Sequence, residues 1–136
     1  MPARKEERDL GTYDVTVVGG GAAGLWAALC AAEEGGSVCL VSRKSLAESS
    51  SFHAQGGLAA ALDPDDSPEQ HFEDTMAAGR NLCRTSAVEA LTLEGPGVVE
   101  DLIRRGMNFD REPDGSLSLA LEGGHSHRRI IHAGGS

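Results

Sequence analysis

Apolar positions follow two different rhythms in the early part of the chain. YDVTVVGGG is short and β-branched and ends in three glycines, the pattern of a strand over about Tyr13 to Val18 running into a tight turn. AAGLWAALCAAEEGG is alanine-rich and apolar almost throughout, which predicts a helix packed closely on a sheet and stopped by Gly35 and Gly36. SVCLVS then reads as a second strand, apolar enough for burial on both faces. Together they make a βαβ unit of roughly thirty residues.

Further on the pattern is helical. DPDDSPEQ is a surface turn handing over to a helix, with Ser67 as N-cap, Pro68 at the first helical position and Gln70 at the capping-box position. That helix should run to about Ala78, before Gly79. Another begins near Ser86, is interrupted by Gly95, Pro96 and Gly97, resumes as VVEDLIRR and ends at Gly106. MNFDREPDGSLSLALEGG reads as a hairpin turning at Pro113, Asp114 and Gly115. The expected fold class is α/β: a Rossmann-like βαβ domain with a parallel sheet, flanking helices and a β-hairpin. Residues 1–12 read as a flexible arm and 13–136 as the folded part.

Composition narrows the classes. Of 136 residues 40% are hydrophobic and 24% charged, as in ordinary globular proteins. Aromatics are only 4% while glycine numbers 18, so many positions serve backbone conformation rather than bulk. A net charge of −9 argues against nucleic acid or an anionic membrane as partner. No apolar run reaches the length of a membrane span. The opening MPARKEERDL lacks the apolar stretch of a secretory signal. Cys30, Cys39 and Cys83 are odd in number and lack CxxC spacing, so neither a disulfide framework nor a zinc site is indicated. They read as reduced, buried thiols of a cytoplasmic protein.

Three stretches carry candidate chemistry. Gly19, Gly21 and Gly24, with Gly20, Ala22 and Ala23 between them, form G-x-G-x-x-G between strand and helix. The glycines serve the tight turn, the approach of a pyrophosphate and close helix–strand packing. The exposed N–H groups at the helix start suit a diphosphate. The second strand ends in Ser42, Arg43 and Lys44 rather than an acidic residue; a hydroxyl can bond a ribose and the cations suit phosphate, so FAD and NADP both stay open here. SSSFHAQGG, residues 49–57, offers many donors and little bulk, a loop suited to gripping something flat and polar. LEGGHSHRR sets Glu122, His125, His127, Arg128 and Arg129 around a glycine pair. Its H-x-H spacing lacks a third local ligand, so no metal site is expected, and spacing alone makes it a solvated polar turn.

VVGGGAAGLWAA, then SSSFHAQGGLAAALDPDDSPEQHFEDTMAAG, then EGGHSHRRIIHA, in that order, resemble the start of the L-aspartate oxidases. These are flavoproteins related to the flavoprotein subunits of succinate dehydrogenase and fumarate reductase. The likeness covers nearly everything from Tyr13 onward. It implies an oxidoreductase with FAD, held by the glycine turn, by Ser42 and Arg43, and by Ser50, Ser51, Phe52, His53, Ala54, Gln55, Gly56 and Gly57. Gly56 and Gly57 would let the main chain lie against the flavin ring. In the succinate dehydrogenase branch a histidine five residues before the equivalent of Gln55 bonds covalently to flavin. Ser50 stands there in this chain, and His53, only two residues before Gln55, faces the other way from that position if the loop is extended. Non-covalent FAD is therefore expected.

The resemblance also implies that Glu122 faces the amino group of L-aspartate, which succinate lacks. The implied reaction moves hydride from the aspartate Cα to the flavin and gives iminoaspartate for quinolinate and NAD (pyridine nucleotide) biosynthesis. Oxygen or fumarate would be the electron acceptor and quinolinate synthase a partner. Family members run to several hundred residues, and Arg128 and Arg129 do not match their catalytic arginine, expected beyond Ser136. The chain reads as an N-terminal fragment, inactive alone. Two alternatives stand beside this: part of a fumarate reductase or succinate dehydrogenase flavoprotein, and a non-catalytic nucleotide-binding or interaction module.

Overall fold

The structure, a computed structural model, describes residues 11–54 and 56–134, and these form two compact units that divide after Ala54. Gln55 and most of the expected N-terminal arm lie outside the described residues.

The first unit is the βαβ motif. Strand β1 (Val15–Val18) pairs in parallel with β2 (Val38–Val41), Val15 opposite Val38 and Val18 opposite Val41, and helix α1 (Ala22–Glu33) connects them. The helix ends where Gly35 takes φ +87°, a conformation that a Cβ disfavours. β1 is shorter than the pattern predicts. Asp14, just before it, turns its carboxylate onto Ser37, accepting from the backbone N–H at 2.9 Å and from the hydroxyl at 2.7 Å. The Ser37 hydroxyl, then its N–H, hold the Asp14 carboxyl below its usual range. This latch closes the mouth of the parallel pair. Only Gly20 is buried among the described residues of this unit. A two-stranded sheet touches one stripe of α1 and encloses no side chain there. The expectation of buried thiols fails as well: Cys30 on α1 is exposed for that reason, Cys39 on β2 is half-buried, and so is Cys83 in the second unit, all three free.

The second unit is built around a short ladder that the sequence pattern does not reveal. Strand β3 (Leu58–Ala59) runs antiparallel to β4 (Ile130–Ile131), and Ile130 also bridges Ala120. Ala60, Val99, Phe109 and Ile131 form the core, with Leu62, Leu102, Ile103, Leu117 and Leu119 packed against it. Helix α2 (Pro68–Ala78) is capped as expected, Ser67 Oγ accepting from Gln70 N at 3.2 Å. The reciprocal half of the capping box goes elsewhere, because Ser67 N donates to Asp66 Oδ1 at 2.9 Å. The hairpin is reduced to one bridge, Arg111 to Leu117. Gly115 sits at φ +89°, and Asp114 Oδ1 accepts from the N–H and hydroxyl of Ser116.

One expectation is overturned outright. Helix α3 (Thr85–Arg104) passes through Gly95, Pro96 and Gly97 without interruption. Proline removes its own N–H and its ring crowds the Thr92 carbonyl, but its fixed φ is compatible with a helix. The residue before a proline leaves the helical region because its Cβ and N–H meet the ring, and Gly95 has no Cβ. Position 95 is also where α3 meets Ala59 and Ala60, so a small residue serves packing as well. No helix among the described residues is long and apolar enough to cross a membrane.

Candidate functional site

The glycine turn has the steric logic its spacing suggests. Gly19 sits at φ +124°, and its N–H donates to Val41 O at 2.9 Å, tying the turn to β2. A Cβ on Gly24 would collide with the Gly19 carbonyl. One on Gly20 would lie 2.6 Å from Leu46 Cδ2 and 2.9 Å from Ser42 Oγ. Gly21 is the N-cap of α1 and supplies no side-chain cap. The loop supplies it instead: the first helical N–H, on Ala22, donates to Ser51 Oγ at 3.1 Å. Ala22 and Ala23 thus start a helix whose positive end faces the serine loop. Beside it lies an open groove of about 300 Å³ lined by Gly19, Gly20, Ser42 to Ser45, Glu48, Ser49 and Ser50. Arg43 and Lys44 contribute cations there, and Glu48 one opposing charge.

A short 3-10 helix, Leu46–Glu48, leads into that loop, which turns rather than extends. Ser49 O accepts from Phe52 N at 3.1 Å and from His53 N at 3.3 Å, while Ser49 Oγ accepts from Phe52 N at 3.2 Å. Opposite faces for Ser50 and His53 require an extended strand, so a turned loop gives no ground for them. The Phe52 ring stands edge-on to the His53 ring at 5.4 Å and, like Ala54, is exposed.

In the second unit, Gly56 is open, whereas Gly57 is tightly constrained. A Cβ at Gly57 would collide with the Ile130 side chain and lie 2.6 Å from Ile131 O and 3.0 Å from His132 Nε2. The close approach expected of a flavin is already required by β4. Glu122 is 52% exposed at its side chain, and its Oε1 lies 3.5 Å from Nε2 of His132, itself 13% exposed. Gly124 at φ +86° and the bond from His125 N to Glu122 O close the turn.

The HSHRR stretch is far from a solvated turn. Arg129 is fully buried and donates to both oxygens of Asp66, at 2.9 and 2.7 Å, and to Asp74 Oδ2 at 2.9 Å. Ser126 adds its N–H and its hydroxyl to the same Asp74 oxygen, each at 2.7 Å. Burial pushes the Asp74 carboxyl up, but the bonds from Ser126 and the charge and bonds of Arg129 outweigh it and leave the carboxyl below its usual range. His127 Nδ1 lies 2.9 Å from Ser126 Oγ and 3.8 Å from Asp66 Oδ1. His125 stacks obliquely near His71, ring centres 5.6 Å apart. Arg128 is exposed. Among the described residues no group of three or more His, Cys, Asp or Glu is placed to hold a metal ion. Sequence reasoning missed Asp66, Asp74, Ser126 and His132. The one signal for the cluster was a pair of aspartates two helical turns apart, entering and lining α2.

The family described as FAD binding domain matches residues 14–136. An L-aspartate oxidase of Streptomyces coelicolor is 50% identical over 122 residues, 90% of this chain and 21% of that protein. A chloroplastic L-aspartate oxidase of Arabidopsis thaliana is 48% identical over 121 residues, 89% of this chain and 18% of its own length. Among solved structures, the Sdh1 complex of Mycobacterium smegmatis superposes with TM-score 0.84 at 38% identity, over 90% of this chain and 21% of the other. A quinol fumarate reductase of E. coli gives TM-score 0.83 at 35% identity, over 88% and 21%. The chain thus spans about a fifth of the length of the curated relatives it matches. Glycine turn, parallel strand pair and sequence match agree: the chain belongs to the FAD binding domain family, and its cofactor is FAD.

Proposed function

We propose that this chain supplies the FAD-binding elements of an enzyme that oxidises L-aspartate to iminoaspartate, residues 13–136 being the N-terminal part of its FAD-binding domain. The residues fit the cofactor. A helix start with a glycine N-cap, beside cationic Arg43 and Lys44, offers a diphosphate N–H donors and partial positive charge without a side chain in the way. In this reading Gly19, Gly20, Gly21, Ala22, Ala23 and Gly24 face the pyrophosphate, Ser42 and Arg43 the adenosine ribose, and Ser50 to Gly57 the rest of the cofactor. Ser50 cannot form a covalent flavin link, so the FAD is held by non-covalent contacts alone.

The observation that carries the substrate choice is Glu122, a carboxylate left accessible at the end of a turn that a buried ion cluster anchors. An ammonium on the substrate would pair with it, a partner that a plain dicarboxylate does not offer. Bound FAD supplies the two-electron acceptor for the hydrogen on the aspartate Cα. Oxygen or fumarate takes those electrons on, quinolinate synthase consumes the iminoaspartate for pyridine nucleotide synthesis, and the reaction runs in the cytoplasm. A fumarate reductase or succinate dehydrogenase flavoprotein is the second reading, favoured by the fold likeness to Sdh1 and opposed by Ser50 and Glu122.

Two measurements test this on the FAD-loaded enzyme carrying this segment. Acid precipitation should release all the yellow colour; flavin retained on the protein contradicts the non-covalent reading. Glu122→Gln should raise KM for aspartate by about tenfold or more, the worth of a hydrogen bond to a charged group, with much less change for fumarate. Equal effects on both ligands remove Glu122 from the substrate site.

A further inference from the structure

We propose that His132 is a positioning residue for Glu122, presenting its carboxylate to the substrate ammonium. The inference rests on the reading of Glu122 just given. Its basis is the register of the β3–β4 ladder. Leu58 opposite Ile131 sets Gly57 opposite His132 as the ladder runs out. His132 Nε2 accordingly lies 3.0 Å from the place a Gly57 Cβ would occupy, and the same nitrogen is 3.5 Å from Glu122 Oε1. The histidine is held firmly. It follows Ile131, which is buried in the ladder, and its carbonyl accepts from Asp110 N at 2.8 Å. Glu122 is half exposed and lies two residues beyond Ala120, which bridges Ile130 on the opposite edge of β4.

A fixed imidazole therefore stands between a loop end assigned to FAD and a half-exposed carboxylate assigned to the substrate. An exposed glutamate must give up rotamer freedom when it binds, and an anchor that selects its rotamer beforehand removes part of that cost. Imidazole suits the task. With its proton on Nε2, and with a small closing of the 3.5 Å gap, it would donate to one carboxylate oxygen and leave the other for an ammonium. A lysine in its place would compete with the substrate as a full positive charge.

The test uses the FAD-loaded enzyme carrying this segment and the variants His132→Leu, His132→Gln, Glu122→Gln and the double variant of His132→Leu with Glu122→Gln. His132→Leu should raise KM for aspartate by about threefold to tenfold, the worth of one hydrogen bond, with kcat within about twofold. The fumarate KM, flavin content and visible spectrum should stay as they were. His132→Gln, which keeps a donor of similar reach, should recover most of the loss. The double variant should be no worse than Glu122→Gln alone, because the histidine acts only through that carboxylate. Should leucine prevent folding, His132→Asn, polar but too short to reach, should show the same rise in KM. Additive effects in the double variant, or an equal rise for fumarate, would overturn the proposal. Loss of flavin in every His132 variant would overturn it too, since the residue would then serve the Gly57 loop alone. Glu122→Gln without effect on aspartate sinks both the substrate reading and this proposal. A normal effect of Glu122→Gln beside an unchanged His132→Leu sinks the proposal alone.

Discussion

Arg129 and Asp66 both have side chains wholly removed from solvent, and Asp74, which shares the guanidinium, is 19% exposed. Two carboxylates around one cation leave no slack, so removing the cation strands buried negative charge. Arg129→Met should cost about 3–5 kcal/mol of stability, the typical penalty for breaking a buried pair from one side. Asp74→Asn should cost less, because Asp74 keeps some water and Ser126 can still donate to the amide oxygen. Urea unfolding of the holoenzyme carrying each variant would rank them, and a smaller loss for Arg129→Met would show that solvent reaches the cluster.

His71 adds a pH dependence. It is 2% exposed on α2; burial lowers its pKa most, Arg129 and His125 lower it further, and Asp66 and Asp74 oppose in part. The unfolded histidine, near its ordinary 6.5, then binds protons that the folded one refuses. Its contribution to stability is complete above that value and is lost as pH falls from there towards the folded pKa. The thermal midpoint should decline on acidification below about 6.5, and His71→Phe should flatten that part of the curve. An unchanged slope would assign the titration elsewhere. Beyond that pair of aspartates none of this was legible in the sequence: the cluster's partners lie 55 and 63 residues apart along the chain, and no local pattern encodes such a pairing.

At the level of elements, legibility follows how local the physics is. The βαβ unit, the Ser67 cap and the glycine turn could be read because each depends on a few adjacent residues. The β3–β4 ladder could not, since two-residue strands carry no periodicity and their pairing spans most of the second unit. Helix α3 departs from its pattern for a subtler reason. Gly–Pro–Gly usually signals a break, yet here the glycine before the proline removes one of the clashes that make one. If α3 is continuous, Gly97 is a helical glycine with open space where a methyl would stand, and Gly97→Ala should stabilise by about 0.5–1 kcal/mol. A loss of stability in denaturant titration would mean that the segment bends there after all. Gly24→Ala is the opposite case: its Cβ meets the Gly19 carbonyl, so the same substitution should open the turn and release flavin.

For the molecule as a whole, the candidate site was half legible. Gly19 to Gly24 could be read for their steric need, each glycine sitting where a Cβ would crowd a neighbour or φ is positive, and the serine loop for the cap it lends to α1 only once the structure was known. The role of Gly57 did not follow, because the neighbour that demands a glycine there comes from β4. Glu122 was placed by likeness to a family, and its histidine neighbour became visible only once the register was known.

The thin cover over the first unit has a colloidal consequence. Val18 is 82% exposed, and Val15, Leu25, Leu29 and Val41 are each more than a third exposed. A chain of net charge −9 carries long-range repulsion that keeps such surfaces apart in dilute buffer. Salt shortens that repulsion to about 3 Å at 1 M, while the attraction between apolar patches persists. The 136-residue chain by itself should therefore scatter more light as sodium chloride is added at neutral pH, its second virial coefficient passing from positive to negative. A coefficient that stays positive throughout would mean that these side chains find cover within the chain itself.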